Sequence, residues 1–337
     1  MKVAVVILNW NGRSFLEDFL PGVIEHSSGD AEIIIADNNS TDDSVDYLKS
    51  KFPDTRVIQN KENGGFAKGY NDALKMVEAE YYILLNSDIE VTENWIQPII
   101  KLMDSDKSIA ACQPKILAYN DKSKFEYAGA AGGFIDKYGY PFCKGRLFQS
   151  LENDNGQYDE ISEIFWASGA CFFVRAELFH KFGGLDEDFF AHMEEIDFCW
   201  RLKQKGYKVM VCPQSKVYHI GGGTLPKKSS RKTHLNIRNN LIMLYKNLPS
   251  DRLFIVFFAR FFLDGVAAIK FLLSSGYKDF FAVTRAHIHF YTSIPRHRKK
   301  RIAIQPKKVI NIYNGNIVYD YYLKGKKTFS SLKEDKF

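Results

Sequence analysis

Six carboxylates fall within twelve residues, Asp186, Glu187, Asp188, Glu194, Glu195 and Asp197, interleaved with Phe189, Phe190, Met193 and Phe198. A carboxylate at a helix start and beside apolar side chains is placed to face a cleft, where it can serve as a general base. Glu194 and Glu195 are the candidates. Asp197 stands four residues before Arg201, a spacing that equally serves helix stabilisation worth ~0.3–0.5 kcal/mol. A second combination is Asn86-Ser87-Asp88 with His219. In an extended chain residues two apart point to one side, so Asn86 and Asp88 can reach a divalent metal that bridges a diphosphate. Taken alone, the tripeptide also reads as a helix N-cap or a turn. His219 precedes Gly221-Gly222-Gly223; imidazole is a good metal ligand, and a glycine run lets a loop close over phosphates.

Such residues need a scaffold that brings them to one edge. The first 120 residues alternate short apolar runs with helical patterns. Strands are expected over 3–8, 32–36, 56–59, 81–85 and 109–117, and helices over 44–52, 66–77 and 95–103. A further helix opens at Ser14 with Glu17 at capping-box spacing, followed by Phe15, Leu16, Phe19, Leu20 and Val23 near the helical period. This alternation predicts a parallel, doubly wound sheet covered on both faces. In such sheets ligands sit beyond the carboxyl ends of the strands. Those ends carry Asn9-Trp10-Asn11-Gly12, then Asp37 followed by Asn38, Asn39, Ser40, Thr41, Asp42 and Asp43, then Asn86-Ser87-Asp88. Neither the GxGxxG of a dinucleotide fold nor a P-loop is present, so phosphate is expected to be handled through a metal held by carboxylates. Residues 118–164 are glycine-rich and polar and read as an insertion or substrate-facing subregion. Two short strands are expected around Val209 and Val217, and mostly helical, aromatic-rich sequence follows to about residue 294.

The chain has 337 residues, 45% hydrophobic and 26% charged, which excludes disorder. Its five cysteines lie apart with no CxxC pair, giving neither a disulfide framework nor a zinc knuckle; a reducing cytoplasm is the natural setting. The six-residue apolar run after Met1-Lys2 is too short for a signal peptide and reads as a buried strand. Residues 253–273 are apolar on most faces of a helix but carry Arg260, Asp264 and Lys270, a poor membrane span. Such a helix is either buried against the catalytic domain or lies in a membrane interface. Seven cations, Arg296, Arg298, Lys299, Lys300, Arg301, Lys307 and Lys308, outweigh the whole net charge of +6. They form either a solvated surface or a patch for anionic head groups, which favours a peripheral membrane protein; no nucleic-acid recognition module accompanies them.

The residues also carry a resemblance. The run from Val6 to Gly12, Asp37-Asn38-Asn39-Ser40-Thr41-Asp42, Asn63-Gly64-Gly65-Phe66-Ala67 with Asn71, Leu85-Asn86-Ser87-Asp88, Gly183-Gly184-Leu185-Asp186-Glu187, Glu194-Glu195-Ile196-Asp197 and His219 resemble the family 2 glycosyltransferases of the GT-A fold. The branch they resemble holds rhamnosyltransferases and galactofuranosyltransferases of bacterial surface polysaccharides. The resemblance implies that Asp37 binds the base or ribose of a donor nucleotide, with Asn9, Asn11 and Asn39 at that subsite, and Asn63, Gly65, Lys68 and Asn86 beside it. It implies that Asp88 and His219 hold Mg²⁺ or Mn²⁺ on the diphosphate, residue 86 being Asn where the family's DxD begins with Asp. Glu195 aligns with the catalytic base, with Glu194 or His192 as the alternative if the register differs. Trp166, Ser168, Gly169 and His192 would wall the donor sugar or acceptor. Arg238, next to Asn239, would reach the diphosphate or a lipid phosphate, assisted by Lys227, Lys228, Arg231 and Lys232.

The expected architecture is an α/β GT-A domain over residues 1–225, with donor binding in 1–118 and the acceptor and catalytic part in 119–225, followed by a helical, basic region over 226–337. The expected function is inverting, metal-dependent transfer of a sugar, rhamnose from dTDP-rhamnose first, to a lipid-linked glycan at the cytoplasmic face of a membrane. The alternatives are a UDP-hexose donor or a non-catalytic sugar-nucleotide or glycan-binding subunit. The presence of Glu194, Glu195, Asp88 and His219 argues against the last.

Overall fold

The computed structural model describes residues 1–221, 229–333 and 336–337. Strand β1 (Val3–Asn9) is buried almost throughout because it lies in the middle of the sheet, between β2 (Glu32–Asp37) and β4 (Tyr81–Asn86), both parallel to it. Between β1 and β2, helix α1 (Arg13–Ser27) buries Leu16, Phe19, Leu20 and Val23, one helical face. Its start differs from the capping-box expectation. Gly12 occupies the N-cap without a side-chain cap, Ser14 lies inside the first turn, and Glu17 binds Arg13 at 2.7 Å while Asp42 accepts from the Arg13 N–H. A cap contributed by the neighbouring strand end thus replaces a local one.

Helix α2 (Ser44–Lys51), strand β3 (Arg56–Gln59) and helix α3 (Gly65–Leu74) follow, then β4, β5 (Ile89–Val91), α4 (Gln97–Ser105), β6 (Ile109–Ala118) and β7 (Asp121–Phe125). Residues 118–164 hold, after β7, the short strands β8 (Gly133–Asp136), β9 (Pro141–Cys143), β10 (Arg146–Leu147), β11 (Ser150–Leu151) and β12 (Ser162–Glu163). Next come β13 (Cys171–Arg175), α5 (Ala176–Lys181), α6 (Glu194–Gln204) and β14 (Lys208–His219). The two strands expected near Val209 and Val217 are one, β14, with a register shift between Cys212 and Lys216. The chain ends in α7 (Ser230–Asn247), α8 (Ser250–Ser274), α9 (Tyr277–Ile304), β15 (Ile312–Tyr313) and α10 (Ile317–Tyr322).

The main sheet has the order β12-β14-β6-β13-β4-β1-β2-β3, with β5 on β14 and β7 on β6. It is parallel from β4 to β3, whereas β13 runs antiparallel between β4 and β6. That reversed strand follows from the loop region before it, which returns the chain to the sheet from the opposite end. The short strands form a second sheet, β11-β10-β9-β8, which β15 joins by pairing Ile312 with Ile135. The C-terminal region is therefore stitched into the catalytic body. Helix α7 packs along α9 and against α6, and its Lys246 and Asn247 bind buried Asp197 at 2.8 and 2.7 Å. Asp197 also takes the Arg201 guanidinium at 2.9 Å, so its role is to lock α6 to α7.

Candidate active site

The carboxyl ends of β1, β4 and β14, the N-terminus of α6 and the start of α7 enclose a cavity of about 530 Å³. Asn11, Asn63, Gly65, Asn86, Asp88, Gly169, His192, Glu194, Glu195, His219, Arg231 and Lys232 all line it. Residues spread over two-thirds of the sequence thus meet at one place, and most of the expected site is among them.

Register brings Asp88 and His219 together. Strand β5 pairs antiparallel with the end of β14, setting His219 opposite Ile89, one residue from Asp88. His219 Nε2 lies 3.2 Å from Asp88 Oδ1. On its other side Nδ1 is 3.2 Å from Glu126 Oε2, within ion-pair distance but off the hydrogen-bond direction. Burial opposes a charge on this imidazole, but the bonds and charges of Asp88 and Glu126 prevail and push its pKa up to about 10. Burial also works against the Glu126 carboxylate, and His219 nonetheless holds it below its usual range. Among the described residues no group of three or more His, Cys, Asp or Glu is placed to hold a metal ion. Asp88 Oδ1 and His219 Nε2 stand side by side, and the Glu126 carboxylate lies beyond the far ring nitrogen.

Glu194 and Glu195 open α6, and among the described residues no hydrogen-bond partner meets Oε2 of either. Burial pushes the Glu195 carboxyl up to about 7. Burial, and then the charge of Glu195, raise Glu194 well above the carboxylate range. His192 moves the other way, down to about 4, through burial and the Lys232 charge. The rest of the acidic cluster is structural: Asp186 binds Lys246 and Lys300, Asp188 binds Lys300 and Arg296, and Glu187 accepts from Asn71.

Other expected site residues stand behind the wall. Asn9 and Asp37 are buried beneath it, Asn9 Nδ2 donating to Asp37 Oδ1 at 3.1 Å, and Asp37 Oδ2 accepting from the Ser40 N–H. Asn39 is a left-handed turn residue, φ 61°, outside the lining. Lys68 is paired with Asp72 and Glu62. Trp166 is core, its indole N–H donating to the Phe134 carbonyl. Arg238 does not reach the cavity, because its guanidinium is spent on the carbonyls of Asp188 and Phe189. Lys227, Lys228, Gly222 and Gly223 lie outside the described residues.

The sequence reading missed Glu126, and it named Phe190 and Asn239 without the roles they have here. Glu126 sits in the motif-poor stretch, where only the adjoining Ala/Gly-rich run hinted at close packing. Phe190, His192 and Met193 have φ of 64°, 72° and 75°, so the loop entering α6 is held in a costly conformation. Asn239 holds it: its Nδ2 lies 2.8–2.9 Å from the carbonyls of Phe189, Ala191 and His192. Asn239→Ala is expected to lower turnover by about ten- to a hundredfold by displacing Glu194 and Glu195, with a smaller fall in melting temperature. Steady-state kinetics beside thermal unfolding checks this, and unchanged turnover would remove the assignment.

The comparisons agree with this geometry. Over 248 residues the chain is 23% identical to the low-salt glycan biosynthesis hexosyltransferase Agl10 of Haloferax volcanii, covering 71% of this chain and 74% of that protein. Over 233 residues it is 24% identical to the N-acetylglucosaminyl-diphospho-decaprenol L-rhamnosyltransferase of Mycobacterium tuberculosis, covering 64% and 75%. The crystal structure of GalNAc-T7 with UDP, GalNAc and Mn²⁺ superposes with a TM-score of 0.63 at 17% identity, covering 91% of this chain and 55% of that one. The fold is GT-A, with a helical C-terminal region. The sequence model described as Glycosyl transferase family 2 matches residues 4–183, more than half of the chain and every strand from β1 to β13. With cavity, fold and sequence in agreement, the chain belongs to glycosyl transferase family 2.

Proposed function

We propose that this glycosyltransferase moves a sugar from a nucleoside-diphosphate donor, dTDP-rhamnose first, to a lipid-linked glycan with inversion at the anomeric carbon. It would act as a peripheral protein on the cytoplasmic face of a membrane, with donor binding in residues 1–118, acceptor binding and catalysis in 119–225, and a helical region from 226. The observation that carries the reading is that Glu194 and Glu195, whose Oε2 atoms have no hydrogen-bond partner among the described residues, share one cavity with the Asp88–His219 pair. The rhamnosyl donor is favoured by the rhamnosyltransferase named above, and the metal by the Mn²⁺ in GalNAc-T7.

Asp88 and His219 would hold Mg²⁺ or Mn²⁺, the ion displacing the proton that His219 Nε2 otherwise shares with Asp88. A site with one carboxylate suits a cation that completes its shell with phosphate oxygens and water. The chemistry such an ion supplies when bound is neutralisation of diphosphate charge as the leaving group departs. Arg231 and Lys232, lining the same cavity, add positive charge for the diphosphate. Glu195 takes the proton of an acceptor hydroxyl; that oxygen bonds the anomeric carbon as its bond to the diphosphate breaks on the opposite face. His192, held near 4, is the weaker base at neutral pH. Asn11, Asn63 and Asn86 would line the nucleotide side of the cavity, with the Asn11 carboxamide holding Thr41, and buried Asp37 fixes the loop of Ser40 behind them.

The test is nucleoside diphosphate release from dTDP-, UDP- and GDP-sugars with lipid-linked glycan extract, with and without Mg²⁺ or Mn²⁺. Metal-dependent release from dTDP-rhamnose is the expected result. Nucleotide binding without release from any donor would overturn it in favour of a non-catalytic binding subunit.

A further inference from the structure

Helix α8 is built inside out. Its fully buried positions are Val256, Arg260, Asp264 and Ala268, spaced four apart along one face. The middle two form an ion pair at 3.1 Å. Arg260 also binds the Asn240 carboxamide and the Tyr138 carbonyl, and Asp264 accepts from the Tyr140 hydroxyl at 2.8 Å and meets His287 Nε2 at 3.1 Å. The inward face is thus a satisfied polar network. The outward face carries Phe254, Phe258, Phe261, Phe262 and Leu273, from 56% to 83% exposed, and Phe281 continues it on α9. The fold therefore buries one face of this helix and leaves much of its apolar surface outside.

The charges select what covers that face. Along α8 and α9 the exposed charged side chains are one acid, Asp251 in the first turn of α8, and six cations, Lys270, Lys278, Arg285, Arg296, Arg298 and Lys299. Two copies pairing through this face would set like charges together around the apolar stripe. An anionic surface meets both features. Among the described residues no helix is long and apolar enough to cross a membrane, so the stripe would lie in the plane of the interface. The sequence patch around residue 300 is not the main contact, since Arg296 and Lys300 bind Asp186 and Asp188, and Arg301 donates to the carbonyls of Tyr245 and Leu248.

We propose that the outward face of α8 and the start of α9 docks on an anionic lipid bilayer, inserting the phenylalanine stripe among head groups flanked by Lys270, Lys278 and Arg285. This deepens the reading of a lipid-linked acceptor and rests on it only in that such an acceptor lies in a membrane. Vesicle binding and sugar transfer are measured separately, so each can fail alone.

The test is flotation of the full chain with phosphatidylcholine vesicles, with and without one-third phosphatidylglycerol, at low and high salt. The expected result is binding to the anionic vesicles, weakened by salt, and reduced about tenfold or more in the double variant Phe258→Ser/Phe262→Ser. Both side chains are on the surface, so the variant should melt as the parent does and keep its nucleotide affinity. Failure of the parent to float with either vesicle, or equal flotation of the variant, would overturn the proposal. So would a concentration-dependent dimer in sedimentation that the double substitution abolishes while neither protein floats.

Discussion

Glu195→Gln is expected to lower turnover by ~10²–10⁴-fold, the usual contribution of a positioned general base, while nucleotide affinity stays near that of the parent. The pH profile carries the sharper information. With its carboxyl pushed up to about 7 by burial, Glu195 is protonated below that pH and cannot accept a proton, so parent turnover should rise through pH 7 and level off above it. The residual activity of Glu195→Gln should lack that rise. Burial and the charge of its neighbour raise Glu194 well above the carboxylate range and disfavour its charged form, so Glu194→Gln should cost less. Stability supplies a control of opposite sign. A carboxyl whose folded pKa lies above its unfolded value loses stability as pH rises from about 4.5 to 7, because the buried site resists ionisation. Glu195→Gln removes that loss, so at pH 8 it should melt no lower than the parent. Full turnover in Glu195→Gln would end the assignment of this residue as base.

Elements were legible where a short-range rule governs them. The strand–helix alternation of the first 120 residues shows because buried parallel strands are uninterrupted apolar runs, and polar residues stand out where each ends. Asn11, Asn86 and Asp88 were found that way. The pairing of Asp197 with Arg201 was legible from helical spacing alone. What the sequence hid were relations between distant segments. Asp88 and His219 are 131 residues apart, and the β5–β14 register joins them. Glu126 reaches the same imidazole from a stretch with no periodic pattern. Arg238 has the chemistry of a phosphate ligand, yet it donates to the carbonyls of Asp188 and Phe189 and to Asn239 Oδ1. The bonds that Asp37 makes to Asn9 and to the Ser40 N–H were equally out of sight in the sequence. For helix α8 the sequence left burial and a membrane interface both open, since composition records how apolar a helix is and not which face the protein keeps.

Asp88→Ala is expected to cut turnover by about 10²–10³-fold, to flatten its dependence on Mg²⁺ or Mn²⁺, and to raise the donor KM, since an open site with one charged ligand has little to lose. Glu126→Gln tests the same arrangement from behind. It leaves both proposed ligands in place but removes the charge beside Nδ1, and loss of such outer support costs about 10–100-fold in metal affinity. The two variants should therefore differ in kind. Saturating metal should restore most of the turnover of Glu126→Gln and little of that of Asp88→Ala. A purely structural role for the buried Asp88–His219–Glu126 row predicts instead that both variants melt at lower temperature and that neither shifts the metal titration. Measuring turnover across a metal series alongside thermal unfolding separates the two, and an unchanged metal requirement in Asp88→Ala would remove the metal from this site.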